Sequence, residues 1–469
     1  MQSQAGQGLD QTALRPFAVL AIAIAAISPT TSVFLVYGAD LATAGTGIVW
    51  AFLIGALIAG SMAFCYAEVG SVFPSAGGTY TVVRRALGPM WGGVVNILFL
   101  VLGLTASSSI LLAAATYLSS LVPGGLPANW VAFAMMVAVT ALSIGRISPA
   151  GWVATAMLAL ELAVILAFIG FCFASPSLAT NPFTHPVLAA NAHGNALQSV
   201  GAGAMLAAVV PALFAFNGYD WPLYFAEETP AARRALPRAV LVAAGVSIAV
   251  EVLAVIAATF AIHNLSVTAS SSAPLTAIAT QTMGSTGAKI LIAGVVVAMF
   301  DTGLAGNLGY ARIFYAAGKD RMWPGPLNGF FARVGRSKVP VGGFAVLFVG
   351  NSLLCIFSTL QNLITFTGVV IVIVYLLVAA SALTSRVRDR GLRRTLRMPA
   401  WPLFPVIALA GGVAALTQQT AKDIAIAVGL SLAAAIVYLV VRSRLPGRLE
   451  RSPSDTGPSW ESIEEPLRP

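Results

Sequence analysis

The chain has 469 residues, of which 58% are hydrophobic and only 9% are charged, and its mean hydropathy is +0.86. This composition excludes a soluble globular protein and predicts a polytopic membrane protein. The net charge of +9 does not indicate nucleic-acid binding, because the basic residues outside the chain ends fall in alternate loops.

About twelve apolar runs of membrane-spanning length lie between residues 17 and 442, which predicts one transmembrane bundle without separate soluble domains. The segments 1–16 and 443–469 are predicted as tails. Only Lys289 and Lys422 fall on the side opposite to the basic loops. The positive-inside rule therefore predicts a multi-pass protein of the plasma (inner) membrane with both termini in the cytoplasm. The basic loops contain Arg84 and Arg85, Arg146, Arg233 with Arg234 and Arg238, Lys319 through Lys338, and Arg386 through Arg397.

Two predicted spans are interrupted by polar residues and proline. The first span, about residues 17–41, contains Ser-Pro-Thr-Thr-Ser at 28–32, here called the first break; a later span contains Phe-Ala-Phe-Asn-Gly-Tyr-Asp-Trp-Pro at 214–222, the second break. Proline removes a backbone donor and glycine loosens a helix, so free amides and carbonyls are expected at both. Such backbone at membrane depth faces a cavity or a ligand, unless neighbouring helices satisfy a simple proline kink. Discontinuous helices near the midplane hold small polar solutes in many secondary transporters.

Four stretches carry a family resemblance. Residues 66–89 contain Glu68, a proline, a glycine pair and two arginines, and residues 214–228 place aromatic, glycine and acidic residues around the second break. Residues 309–324 combine an arginine with an acidic-basic turn, and residues 397–405 are rich in proline. Together they resemble the second-helix, sixth-helix, eighth-helix and eleventh-helix motifs of the amino acid-polyamine-organocation (APC) permease superfamily.

The resemblance covers about residues 17–442 and implies the fold of that superfamily. It implies an all-α polytopic membrane protein of about 12 transmembrane helices, with broken helices 1 and 6 at equivalent places in two inverted five-helix repeats. The repeats would span about 17–174 and 200–384, and two C-terminal helices would follow at about 401–442.

The first break departs from the family pattern. Where many members have glycines before Val33-Phe34, this chain has Thr30-Thr31-Ser32. The family's glycines let a substrate carboxylate approach free amides, whereas β-branched threonines narrow that approach and add hydroxyl donors. The resemblance implies an α-amino acid as the substrate, and this departure leaves a related amine open.

The resemblance also implies roles for residues at both breaks. Amides and hydroxyls of the first break would hold the anionic end of the solute, and carbonyls near the start of the second break would hold its amine. In the family an aromatic side chain shuts over the substrate and an acid contacts its amino group; by position these are Phe214 and Asp220. Tyr219 and Trp221 are either ligands or packing residues. The predicted substrate-binding residues are Ser28, Thr30, Thr31, Ser32, Phe214, Phe216, Asn217, Tyr219, Asp220 and Trp221.

One carboxylate, Glu161, interrupts the otherwise apolar fifth span. A charge at membrane depth costs about 3 kcal/mol on insertion scales and marks a functional site by default. Some family members have a lysine near this place that stands in for a sodium ion, which implies an ion-coupling role for Glu161. Asp301 and Thr302 of the eighth span could face the same spot, and two close carboxylates there would share a proton because their charges repel.

The coupling ion is predicted to be a proton. Sodium is the alternative, because two carboxylates and a hydroxyl also form a hard oxygen site. A third interpretation is that Glu161 stays neutral and is hydrogen-bonded to a neighbouring helix. The sequence does not fix the membrane depth of Glu251 in the seventh span.

These observations predict a secondary transporter of an amino acid or related amine, working by alternating access. A polyamine or organic amine transporter or exchanger is the alternative, and a non-transporting nutrient sensor is the competing class. An enzyme is not indicated, because nucleotide-binding loops, metal-ligand clusters and nucleophile-base pairs do not stand out, and no cofactor is expected. Symport and antiport are both open. Cys65, Cys172 and Cys355 lie in apolar runs and are expected to be reduced core thiols.

Overall fold

The computed structural model describes residues 20, 23–25, 27–72, 77–144, 151–177, 181–191, 194–229, 231–323, 325–335, 339–392 and 394–444. The predicted tail 1–16 and the predicted tail from 445 onward lie outside the described residues. So do Arg146 and residues 73–76 of the first motif.

The described residues are mostly α-helical. Short 3₁₀ segments cover Gly45–Gly47 and Trp221–Glu228, and α10 is kinked at Gly284, whose φ of 75° is not helical. The helices are α1 (Pro29–Ala44), α2 (Ile48–Val72), α3 (Gly78–Leu87), α4 (Pro89–Leu121), α5 (Ala128–Ile144), α6 (Gly151–Ala174), α7 (Ala202–Ala215), α8 (Ala232–Phe260), α9 (Leu265–Ser270), α10 (Pro274–Lys319), α11 (Leu327–Phe331), α12 (Val341–Phe357), α13 (Leu360–Arg388), α14 (Leu403–Leu416) and α15 (Ala421–Arg444).

Seven helical runs among the described residues are long and apolar enough to cross a membrane, counting Ala23–Val72 as one run. Four shorter apolar helices, α5, α7, α12 and α14, accompany them. Large apolar side chains point outward from several helices, for example Phe357, which is 78% exposed, and Ile290, Leu432 and Ile436. Outward-facing apolar side chains suit a lipid environment. The expectation of a multi-pass membrane protein is therefore confirmed.

The first break is present. Ile27 is helical, Ser28 has left-handed backbone angles (φ 51°, ψ 77°), and α1 starts again at Pro29. The Thr31 N–H donates to Ser28 Oγ at 3.4 Å, as at a helix N-cap. Because Pro29 carries no N–H and sits at the first helical position, the chain ends one helix and begins another here.

The second break is also present. Helix α7 ends at Ala215, residues 216–220 form turns, and the 3₁₀ segment Trp221–Glu228 follows. Gly218 has a φ of 124°, a conformation that L side chains rarely adopt. A Cβ atom at Gly218 would also lie only 3.0 Å from the Cα of Ile27. The glycine therefore allows the second break to pack against the first.

Ser32 joins the two breaks. Its Oγ lies 2.8 Å from the Ile27 carbonyl oxygen and 2.8 Å from the Ala215 carbonyl oxygen, so its one hydroxyl proton is shared between the two acceptors. Both carbonyls are freed where a helix is interrupted. Helix α1 packs against α7, α8, α10 and α6, which places the breaks inside the bundle.

Outside the bundle, the loop between α6 and α7 contains an antiparallel hairpin of β1 (Val187–Asn191) and β2 (Gly194–Ser199). The sequence did not predict these strands. The three cysteines are buried and unpaired, as expected.

Candidate functional site

Glu161 of α6 lies opposite the first break and is buried. The Thr30 N–H donates to Glu161 Oε1 at 3.3 Å, and Thr30 Oγ1 donates to the Glu161 backbone carbonyl at 2.9 Å. This amide belongs to the first turn of α1, where N–H groups have no partner within the helix. The positive end of the helix dipole favours an anion at that place. Glu161 thus occupies the anion-binding end of α1 with its own carboxylate.

A chain of hydroxyl groups continues from the first break to α10. Ser28 Oγ donates to Thr31 Oγ1 at 2.6 Å, and Thr31 Oγ1 lies 3.0 Å from Thr302 Oγ1. Thr302 Oγ1 also donates to the Ala298 carbonyl at 2.8 Å, so the chain of hydroxyl groups ends on the backbone of α10. The side chains of the first break therefore bind α6 on one side and α10 on the other.

Two further carboxylates lie within electrostatic range of Glu161. Asp301, next to Thr302, is partly exposed and has a coulombic interaction with Glu161. Glu251 of α8 is buried and interacts with Glu161 in the same way. The structure thus brings Glu161, Asp301 and Thr302 to one region, to which it adds Glu251.

At the second break, Asp220 is buried, and its carboxylate bonds to two hydroxyl groups that also lie within hydrogen-bond distance of each other. Its Oδ2 accepts from Tyr224 Oη at 2.8 Å and from Thr79 Oγ1 at 3.1 Å, and the two hydroxyl oxygens are 2.9 Å apart. Thr79 lies at the start of α3, and Tyr224 lies one turn beyond Asp220. Gly78 approaches the Tyr224 ring so closely that a Cβ there would lie 2.1 Å from the ring. These contacts hold the carboxylate in one orientation.

Asn217 and Asp220 both line a small cavity. The Asn217 Nδ2 donates to Tyr375 Oη of α13 at 3.1 Å. The cavity has room for about one water molecule, so it is nearly closed. Its wall combines one carboxylate and one amide with five aromatic rings. The lining residues are Tyr66, Phe99, Leu102, Asn217, Asp220, Trp221, Tyr310, Ile371, Val374 and Tyr375.

Other predicted residues of the second break lie elsewhere. Phe216 is buried against Phe52 of α2, with ring centroids 5.4 Å apart, and Phe214 does not line the cavity. Tyr219 packs between Tyr66 and Tyr375, with centroid distances of 5.9 and 6.1 Å.

The edge of Trp221 lies against Gly309 of α10, where a Cβ would lie 1.5 Å from the indole. Trp221 therefore both packs against α10 and lines the cavity.

Residue-type patterns did not single out several of these site residues. Thr79, Tyr224, Tyr310 and Tyr375 contact the second break or its cavity, yet each reads as an ordinary hydroxyl or aromatic residue in its own helix. One signal in the sequence could have pointed to the tyrosines. A tyrosine hydroxyl within an apolar run is polar, and it usually finds a hydrogen-bond partner when it is buried.

Glu68 holds a second buried electrostatic cluster. Its carboxylate accepts from Arg386 Nε at 2.9 Å, from Arg394 Nη1 at 3.2 Å and from the Met398 N–H at 2.8 Å. The sequence alone would have described Glu68 as a solvated helix end. In the structure these bonds of Glu68 link the end of α2 to the end of α13 and to the segment before α14.

With this geometry established, comparisons with known proteins point in one direction. A family model described as amino acid permease matches residues 14–441. The chain is 28% identical over 412 residues to an uncharacterized transporter of Mycobacterium tuberculosis, with 86% of each chain covered. It is 25% identical to the branched-chain amino acid permease BcaP of Lactococcus lactis, covering 82% of this chain and 84% of that protein. It is 24% identical to the low-affinity putrescine importer PlaP of Escherichia coli, covering 62% and 64%.

Proposed function

The chain belongs to the amino acid permease family, and on that premise we propose that it is a secondary active transporter of an amino acid or related amine across the plasma (inner) membrane. A member of this family is a transporter rather than an enzyme. The observation that carries the proposal is the contact of the two helix breaks at Gly218 and Ile27, which puts backbone groups without helical partners and a polar cavity inside the bundle.

The proposed architecture is two inverted five-helix repeats at about 17–174 and 200–384, followed by helices at about 401–442. The tails 1–16 and 443–469 would be cytoplasmic. Support comes from the position of the two breaks, because each interrupts the first span of its proposed repeat. The first break precedes α1, and the second follows α7.

Cysteine labelling from outside tests the orientation. Arg390 and Lys422 are both exposed and lie at opposite ends of the bundle in this topology. A membrane-impermeant thiol reagent added to intact cells should label Lys422→Cys and leave Arg390→Cys unlabelled until the membrane is permeabilised. External labelling of Arg390→Cys would refute the topology.

The proposed substrate site is the cavity at the second break. Asp220 is the group suited to an amine, because its carboxylate lines the cavity and is held by Thr79 and Tyr224. Asn217 and the aromatic wall would contact the rest of the solute, and ammonium groups bind favourably over aromatic faces. Phe216 contributes packing here, because its ring lies against Phe52.

The anionic end of an amino acid would bind at the first break only after a rearrangement. The Thr30 amide is taken by Glu161, and the Thr31 amide and hydroxyl are taken by Ser28 and Thr302. Because Glu161 occupies the helix end that suits an anion, it acts as a tethered substitute for the substrate carboxylate.

This arrangement suggests how a proton would be coupled to transport. Protonation of Glu161 would remove its charge and weaken its bond with the Thr30 N–H, since hydrogen bonds to charged groups are about twice as strong as neutral ones. The amide would then be free for a substrate carboxylate, and α1 would be less tightly held to α6. Proton and substrate would thus favour the same state, and the two halves could move past each other. Sodium at the oxygens of Glu161, Thr31 and Thr302 is the alternative.

Solute counterflow in proteoliposomes tests transport against sensing. Vesicles preloaded with an unlabelled amino acid, polyamine or other amine should accumulate the same labelled solute transiently. If the protein is a transporter, at least one of the amino acids or amines tested should show counterflow. Saturable binding to the purified protein without counterflow would identify a sensor and refute the proposed function.

A further inference from the structure

We propose that Glu251 is a second proton-binding site of this protein, and that the proton it binds is released and rebound during transport. This inference rests on the proposed function and extends its coupling site beyond Glu161.

Glu251 lies within α8 and is completely buried, with 0% of the residue exposed. Neither of its carboxylate oxygens has a hydrogen-bond partner among the residues that the structure describes. Among the described residues, Asp40 is the other carboxylate in this condition. An ionised carboxylate without donors in such a place is very costly, so a buried group of this kind takes up a proton or binds a cation.

The position of Glu251 distinguishes it from Asp40. Its neighbours within electrostatic range are Glu161 on α6 and Tyr375 on α13, and no basic residue of the described chain is among them. Helix α8 packs against α1, α2, α6 and the 3₁₀ segment Trp221–Glu228. Glu251 is therefore within electrostatic range both of the proposed coupling carboxylate and of the tyrosine that bonds to Asn217 of the second break.

The two glutamates differ in the donors that they have. Glu161 receives the Thr30 N–H at the positive end of a helix, so it can carry a charge while it holds α1. Glu251 has no donor in the described part of the chain and has a neighbouring carboxylate, so in this conformation its neutral, protonated form is the stable one. A protonated carboxyl without an acceptor is also unsatisfied, which costs about 1–3 kcal/mol.

That residual cost favours a different environment for Glu251 in another state of the transporter. When α1 and α6 separate, Glu251 would gain water or a donor and could release its proton. The transported charge would then depend on both carboxyl groups. Tyr375 gives a route by which solute at Asn217 would alter the surroundings of Glu251.

The ratio of protons to solute tests the proposal in proteoliposomes. Replacing Glu251 with glutamine keeps the shape and removes the exchangeable proton, so Glu251→Gln should still move solute with about one proton fewer per molecule than the wild type. Ser247→Ala is the matched control, because Ser247 lies one turn away on the same face, is also buried and has an unpartnered hydroxyl. The control should keep the wild-type ratio. An unchanged ratio in Glu251→Gln would overturn the proposal.

A second measurement does not depend on transport. The infrared spectrum of the purified protein should contain a carbonyl band of a protonated carboxyl group that is missing in Glu251→Gln and present in Ser247→Ala. Loss of that band with an unchanged proton ratio would show a proton that never leaves, and absence of the band in the wild type would show an ionised Glu251. Both outcomes contradict the proposal. If the wild type shows the band without counterflow, the proposed function fails while Glu251 still binds a proton.

If Glu251→Gln does not fold, Glu251→Asp keeps an exchangeable proton and should keep the ratio.

Discussion

At the level of single residues, Asp220 is the side chain on which the proposed recognition of an amine depends. Asp220→Asn keeps the size of the side chain and removes its charge, while Thr79 and Tyr224 remain in place. A hydrogen bond to a charged group is worth about 1.5–3 kcal/mol, so the apparent affinity for the amine should fall about tenfold to a hundredfold.

Concentration dependence of counterflow measures that affinity. Tyr224→Phe is the matched control, because it removes one donor to Asp220 and leaves the carboxylate. The control should lose less affinity than Asp220→Asn. If Asp220→Asn and Asn217→Leu both bind as the wild type does, the substrate site has been placed in the wrong cavity.

Removal of the Glu68 carboxylate should lower the stability of the fold. Glu68→Gln would leave the Arg386 and Arg394 guanidinium groups without their buried anion. Breaking a buried ion pair by removing one partner costs about 3–5 kcal/mol, so thermal unfolding in detergent should occur at a clearly lower temperature. Asp423→Asn is the control, because that carboxylate is only half-buried at the start of α15, bonds to the Thr420 hydroxyl and has no buried cation to leave behind, so its loss should cost less than about 1 kcal/mol. Equal stability of the two variants would contradict the assignment.

At the level of elements, the contact between the second break and α10 can be tested at Gly309. A Cβ there would lie 1.5 Å from the Trp221 indole, so Gly309→Ala should push the indole into the cavity and reduce counterflow strongly. Gly306→Ala, one turn away on α10, meets only Ser107 Oγ at 3.5 Å and should transport normally. Normal transport by Gly309→Ala would show that the position of Trp221 does not matter to the site.

The elements themselves were largely predictable, because their signals are local. Apolar runs predicted the long helices, and proline with polar neighbours predicted both breaks within a few residues of Ser28 and Gly218. The hairpin β1–β2 was not predicted, because its residues show no alternation strong enough to stand out in a loop.

The site was less predictable, because its contacts join residues far apart in the chain. The link between Glu68 and Arg394 spans 326 positions, and the link between Thr79 and Asp220 spans 141. Side-chain direction was a further difficulty: Phe216 lies beside Asn217 in sequence, yet it packs against Phe52 instead of lining the cavity. The sequence could not show that the described residues around Glu251 offer no hydrogen-bond donor to its carboxylate, because that depends on which residues the fold brings next to it.

At the level of the whole molecule, we propose one bundle in which a carboxylate, Glu161, and a solute would compete for the end of a broken helix. That competition explains why a transporter of this build would couple uptake to protonation. It also separates two activities. In this proposal, exchange of solute would need only movement of the two halves, whereas accumulation would also need Glu161 to gain and lose a proton.

The most direct test is solute uptake into proteoliposomes with an imposed proton gradient, measured with and without sodium, for the wild type and Glu161→Gln. The wild type should accumulate solute when the outside is acidic, equally well without sodium. Glu161→Gln should exchange labelled solute in counterflow and fail to accumulate it. Sodium-dependent uptake by the wild type, or accumulation by Glu161→Gln, would contradict proton coupling through Glu161.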